Sequence, residues 1–197
     1  HIAWESLREP LFFKYNLLAA LTYAAVMALL TVASFLFEHE LGLSPAEFGA
    51  TMLGLSFVYM FGAFVNGKLL HYFTMAQLVR NGIVVMWLSC IFLLVDTLFF
   101  SLSYWGLVSF IALLWLGCSA LYANNSSIAF NVINKNIGVS SALFNTVQIL
   151  FAAIITAAIS AFSAYSTVPL SVFMLGICLG LTALFNWKIQ SKEGIKL

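Results

Sequence analysis

Residues 11–37 read LFFKYNLLAALTYAAVMALLTVASFLF, a run in which Lys14 is the only charged side chain. The apolar character is continuous rather than alternating. The run also exceeds the roughly 20 residues that a helix needs to cross a hydrocarbon core about 30 Å thick. Five further runs share this character, at residues 47–70, 78–100, 104–132, 140–162 and 168–187. Membrane barrel strands alternate and span only about ten residues, so they are excluded. The expected fold is an all-α integral membrane bundle of six transmembrane helices over residues 11–187, with a short lead at 1–10 and a tail at 188–197.

Composition leads to the same class. Of the 197 residues, 63% are hydrophobic and only 8% charged, and mean hydropathy is +1.04. So few charges cannot clothe a soluble domain of this size, which makes the lipid bilayer the expected solvent. A net charge of +1 gives no sign of a nucleic-acid partner. Cys90, Cys118 and Cys178 lie in apolar runs without a CxxC or Cys/His pattern, so they read as packing residues. No metal-ligand cluster, phosphate loop or cofactor motif is present in the sequence, and His1, His39 and His71 lie outside the apolar runs. The chain is therefore not expected to be an enzyme. It begins with His1 rather than Met and has no cleavable signal peptide, so it reads as cut from something longer.

The eight Lys and Arg residues set an orientation. Arg8 and Lys14 precede or open the first helix, Lys68 and Arg80 flank the second loop, Lys135 is in the fourth, and Lys188, Lys192 and Lys196 are in the tail. All lie on one side, whereas the first loop carries Glu38, Glu40 and Glu47. Cytoplasmic loops are enriched in basic residues, so both termini are expected inside the cell. Lys14 is expected to snorkel to the headgroups. Asp96 is the single acid well inside an apolar run, about four residues from the outer end of its helix, and reads as interfacial. Six helices with both ends inside suit half of a twelve-helix transporter. An inverted three-plus-three repeat should then lie within the half, yet no residue match between the two triplets is visible.

Helix faces carry the functional signal, because residues spaced i, i+4, i+7 and i+11 share one face. In the fifth helix that face reads Ser141, Asn145, Gln148, Ala152. An amide facing lipid costs free energy, so the stripe should meet protein or water. Interhelical hydrogen bonding, worth about 0.6 kcal/mol per contact in membranes, explains it as well as cavity lining does. The fourth helix presents Trp115, Ser119, Tyr122 and Ser126, and the first presents Asn16, Tyr23, Met27 and Ser34. Tyr23, Met27, Ser34, Trp115, Ser119 and Tyr122 are the candidate lining of a substrate cavity. Aromatic, Met and small polar groups suit small apolar or weakly cationic molecules through stacking, cation–π attraction and adaptable packing. Ordinary helix packing explains a Met and aromatic face at least as often. Glycines in the second helix (Gly49, Gly54, Gly62, Gly67) and a GxxxG at Gly176 and Gly180 in the sixth permit close helix approach.

At residues 40–70, ELGLSPAEFGATMLGLSFVYMFGAFVNGKLL, the chain resembles the second half of the major facilitator superfamily, in particular its Bcr/CflA group of drug:proton antiporters. The similarity lies in the GLSP-x-x-FG opening, in the loop motif Gly62, Asn66, Lys68, and in Gly138, Ser140, Ser141, Ala142, Leu143 and Gln148. It spans nearly the whole chain. It implies that the six helices are the seventh to twelfth of the family fold, that the first and fourth line the central cavity, and that an N-terminal six-helix half is the partner. It further implies efflux by alternating access in a bacterial inner membrane, with proton-coupling acids in that other half. The sequence departs from the family at Ala33-Ser34, where a Ser-Pro is usual. It departs again at Asn66, where the superfamily motif has Asp, and at Asn124, Asn125 and Asn131, which replace a proline-rich segment. Two other readings stand beside the transporter: a six-helix interaction or scaffold module without transport, and an inactive gene fragment.

Overall fold

A computed structural model of the protein describes residues 8–99, 103–133, 137–161 and 167–187. Six helices account for nearly all of them: α1 Pro10–Phe35, α2 Pro45–Leu69, α3 Met75–Phe99, α4 Tyr104–Asn131, α5 Ile137–Ala161 and α6 Thr167–Asn186. Each is long and apolar enough to cross a membrane, the profile of a multi-pass membrane protein. The expected tail at 188–197, most of the lead before α1, and Lys135 lie outside the described residues.

Local chemistry sets the helix starts. Pro10 and Pro45 occupy first-turn positions, where a missing N–H costs nothing. Ser44 and Glu47 form a reciprocal cap on α2: the Ser44 N–H donates to Glu47 Oε2 at 2.8 Å, and the Glu47 N–H to Ser44 Oγ at 3.3 Å. Thr74 and Gln77 repeat the arrangement before α3. Ser103 Oγ accepts the Gly106 N–H at 3.0 Å and caps α4. At its far end α1 continues through a π-helical turn, Leu36–Glu40, and Gly42, at φ 70°, turns the chain into α2.

Helices that are apolar all round cannot be placed by amphipathicity, so packing decides. In lipid there is little hydrophobic drive between helices, and close approach through small residues takes its place. Within α1, Ala19, Ala20, Ala24, Ala25, Ala28 and Ala33 are all buried. These small side chains let α1 pack at once on α4, α5 and α6. The mirror role falls to α4, which packs on α1, α2 and α3. These two helices are 56% buried in their most apolar windows, against 11% for α2 and 22% for α5. They form the centre, with α2 and α5 flanking and α3 and α6 in contact at the rear.

Exchanging α1 with α4, α2 with α5 and α3 with α6 leaves the principal helix neighbours unchanged. The exchanged helices run in opposite directions. Phe12 at the start of α1 meets Phe130 at the end of α4 (6.5 Å between ring centroids), while Phe37 beyond the end of α1 meets Tyr104 at the start of α4 (6.1 Å). In its packing the bundle thus has the topology of an inverted repeat of two three-helix units. Its symmetry lies in the packing and is not visible in residue identities.

Several side chains sit elsewhere than their spacing implied. Lys14 turns inward, and its Nζ donates to the carbonyls of Phe185 and Trp187 at 2.8 and 2.9 Å, capping the last turn of α6. It does not reach outward to headgroups. Gly49, Gly54, Gly67 and Gly176 have nothing packed against them. Gly62 alone among the α2 glycines meets a neighbour closely, the Ser119 side chain. A close α3–α4 crossing uses glycines that spacing did not single out, Gly82 of α3 and Gly117 of α4, each facing the other's backbone. The Asp96 carboxylate lies over Gly106 in the first turn of α4, where the helix dipole favours an anion.

Candidate functional site

The front of the bundle is the side where α1 and α4 are left uncovered between α2 and α5. Tyr23 sits at the junction of two depressions there. One is a crevice of about 150 Å³ between α1, α2 and α4, lined by Thr22, Tyr23, Val26, Tyr59, Cys118 and Tyr122. The other is a shallow groove of about 480 Å³ between α1 and α5, where Tyr23, Met27 and Thr31 face Ile149, Ala152 and Thr156. Neither lining contains a charged residue.

The expected cavity residues divide accordingly. Tyr23, Met27 and Tyr122 line these depressions. Trp115 stands behind the first, edge-on to the Tyr59 ring (centroids 6.4 Å apart, planes at 89°), and its buried indole N–H has no partner among the described residues. Ser34 is exposed, toward the end of α1, and lines neither depression. Ser119 is a correction: it is buried in the α2–α4 seam against Gly62, with its hydroxyl donating to the Leu116 carbonyl at 2.8 Å. Spacing put it on the face of Trp115 and Tyr122, but the helix crossing turned that part of the face toward α2.

Two of the three loop-motif residues prove to lie in a seam as well. Gly62 and Asn66 are one turn apart on α2, and the Asn66 Oδ1 accepts from Asn124 Nδ2 of α4 at 2.8 Å, fully buried. Lys68 is exposed, with its Nζ 4.7 Å from the centre of the Phe64 ring. The amide at position 66 therefore ties two helices together, a task for which a paired donor and acceptor suffice.

Of the α5 stripe, Gln148 is buried, Ser141 half-buried and Asn145 exposed. Gln148 reaches across the front of α1, and its Oε1 accepts the Tyr122 hydroxyl at 3.2 Å. Nearer the helix ends, Phe12, Phe130 and Phe144 converge with ring centroids 5.0 to 6.5 Å apart. α1 and α5 run parallel, so one turn beyond the Phe12–Phe144 contact they carry Asn16 and Gln148 at a common depth. Both Asn16 side-chain polar atoms and the Gln148 Nε2 are buried without partners among the described residues. Three packed rings thus underlie a polar layer whose hydrogen-bonding capacity is not filled by the described residues. Such groups are costly unless water, a ligand or a rearranged side chain meets them.

Hydroxyl groups elsewhere on these helices answer themselves. Thr22, Thr31, Ser126 and Thr146 each donate to the carbonyl four residues earlier. The Asn16 amide and Gln148 Nε2 make no such bond among the described residues, and that singles them out. Changing Tyr122 to Phe removes the bond between α4 and α5 without altering shape. It is expected to cost about 0.5–1.5 kcal/mol, read as a lowered melting temperature in detergent, with faster hydrogen exchange around Gln148. An unchanged exchange rate would mean that the bridge does not hold these helices together.

Tyr59, Val26 and Thr22 were not anticipated. Tyr59 carried the available signal, as the single ring hydroxyl in the apolar run of α2. Among the described residues, no group of three or more His, Cys, Asp or Glu is placed to hold a metal ion. Comparison with protein-family models, curated proteins and solved structures returned no match. The class that the fold itself defines is a six-helix, inverted-repeat bundle fit to span a membrane, open along one uncharged face.

Proposed function

We propose that the chain is the C-terminal six-helix half of a secondary transporter, working by alternating access against a second six-helix half. The observation that carries this reading is the inverted repeat centred on α1 and α4, whose uncovered front holds an uncharged aromatic crevice at Tyr23. Transporters are built from such repeats, with substrate sites at the repeat interface. The resemblance to the Bcr/CflA group supports efflux of drugs or small metabolites from a bacterium across its inner membrane. The end carrying Arg8, Lys14, Lys68 and Arg80 would then face the cytoplasm. Phenol and indole rings suit small apolar or cationic substrates. With no acid lining the crevice, proton coupling falls to the partner half.

The test is efflux of a fluorescent aromatic cation by the full-length protein carrying Tyr23→Ala or Trp115→Ala. Each variant removes one aromatic ring, Tyr23 from the crevice lining or Trp115 from behind it, and is expected to lower transport several-fold. Unchanged transport of every compound tried would remove the crevice from the path. A second reading, an association module without transport, draws on Gly49, Gly54 and Gly67 of α2, which leave open ground where another helix could pack. Coding sequence upstream of His1 separates the two. Six further apolar helices with a membrane-buried acid favour the transporter, and a start codon just before His1 favours the module.

A further inference from the structure

At the rear of the bundle, α3 and α6 share a buried antiparallel seam. Trp87 Nε1 donates to Thr182 Oγ1 at 2.9 Å and fixes the register. One turn along each helix, Cys90 and Cys178 hold their sulfurs 3.5 Å apart, both fully buried. The remaining thiol, Cys118, lines the front crevice on α4. Closing the 3.5 Å gap to a covalent S–S bond needs an approach of about 1.5 Å, within reach of side-chain rotation on two helices already in contact.

We propose that Cys90 and Cys178 form an oxidisable dithiol, at which a lipid-soluble two-electron oxidant of the quinone class closes a disulfide between α3 and α6. Each thiol gives up its S–H hydrogen and one S–S bond forms. The two protons and two electrons reduce the quinone to its quinol. Lipid solubility matters because the pair lies midway along both helices, behind exposed apolar faces that include Leu88, Ile91 and Leu179. An oxidant dissolved in the bilayer approaches this seam without leaving an apolar medium. Along with α1 and α4, α3 and α6 are a pair in which a helix meets its own repeat counterpart. The bond would therefore join the two three-helix units at the back and restrict their relative motion. The proposal does not rest on the transport reading.

The experiment uses the full-length protein in membranes, treated with a short-chain ubiquinone analogue or with dithiothreitol, then denatured, alkylated and digested for mass spectrometry. Quinone treatment is expected to give a linked peptide pair containing Cys90 and Cys178, lighter by two hydrogens than the summed reduced peptides and cleaved again by dithiothreitol. The link should vanish in Cys90→Ala and Cys178→Ala and persist in Cys118→Ala. Wild-type protein decides the matter even if a variant fails to accumulate. Cys90 and Cys178 both fully alkylated after quinone treatment, or a link made through Cys118 instead, would overturn the proposal.

Discussion

Gly117→Val is expected to destabilise the bundle severely. A Cβ at Gly117 would lie 3.0 Å from the Gly82 carbonyl oxygen, 3.0 Å from Met86 Cγ and 3.2 Å from the Met86 backbone nitrogen. Two of these are backbone atoms of α3, which cannot rotate away. From the other side, a Cβ at Gly82 would meet Leu121 Cγ at 2.8 Å and the Gly117 carbonyl oxygen at 3.2 Å. The crossing is thus built on two bare backbones in contact. Overpacking in cores typically costs about 1–3 kcal/mol, and a branched side chain against rigid backbone belongs at or above the top of that range. Bundles in lipid are held by packing rather than by expulsion of water, so nothing compensates for prying α3 from α4. The measurement is size-exclusion profile and melting temperature in detergent. Gly117→Ala should fall between wild type and Val, and Gly176→Ala, where nothing lies within 4 Å, should be neutral. A Val variant that melts like wild type would show that the crossing is not so tight.

Lys14→Met should release the end of α6. The Lys14 ammonium donates to two carbonyls of the terminal turn, Phe185 and Trp187, and lies 5.7 and 5.6 Å from the ring centres of Tyr15 and Phe185. A cation at a helix C-terminus satisfies carbonyls that lack intrahelical donors and opposes the negative end of the dipole. Met keeps much of the stem's packing and removes the charge, so the expected loss is about 1.5–3 kcal/mol, the scale of a hydrogen bond to a charged group. Melting temperature should fall, and amide exchange should quicken over residues 181–187 ahead of the rest of the bundle. Lys14→Arg, which keeps charge and donors, should recover part of the loss. Uniform exchange across all helices would instead mean that Lys14 contributes packing alone.

The candidate site was legible to different depths in different helices. Tyr23, Met27 and Tyr122 could be placed together from spacing, because a polar or aromatic stripe on an apolar helix must turn away from lipid. The same rule failed for Ser119, since periodicity defines a face without saying whether the face meets a cavity or another helix. Asn66 read as a loop-motif residue and is a buried partner of Asn124. Its role depends on an α2–α4 crossing point that no single helix encodes. Gln148 was legible as buried polarity, but its bond to Tyr122 joins residues 26 positions apart on two helices.

Length and apolarity alone determined six membrane-length helices, because the bilayer fixes the span and leaves the backbone no other way to satisfy its own hydrogen bonds. The one-sided charge pattern was equally a property of the sequence. Which helices lie at the centre was decided only in three dimensions. When every helix is apolar all round, no hydrophobic stripe points to a core, and the order of packing follows from where small residues let backbones meet. Gly82 against Gly117, Gly62 against Ser119 and the alanines of α1 make those choices. From them follow both the inverted repeat and the open face that carries Tyr23.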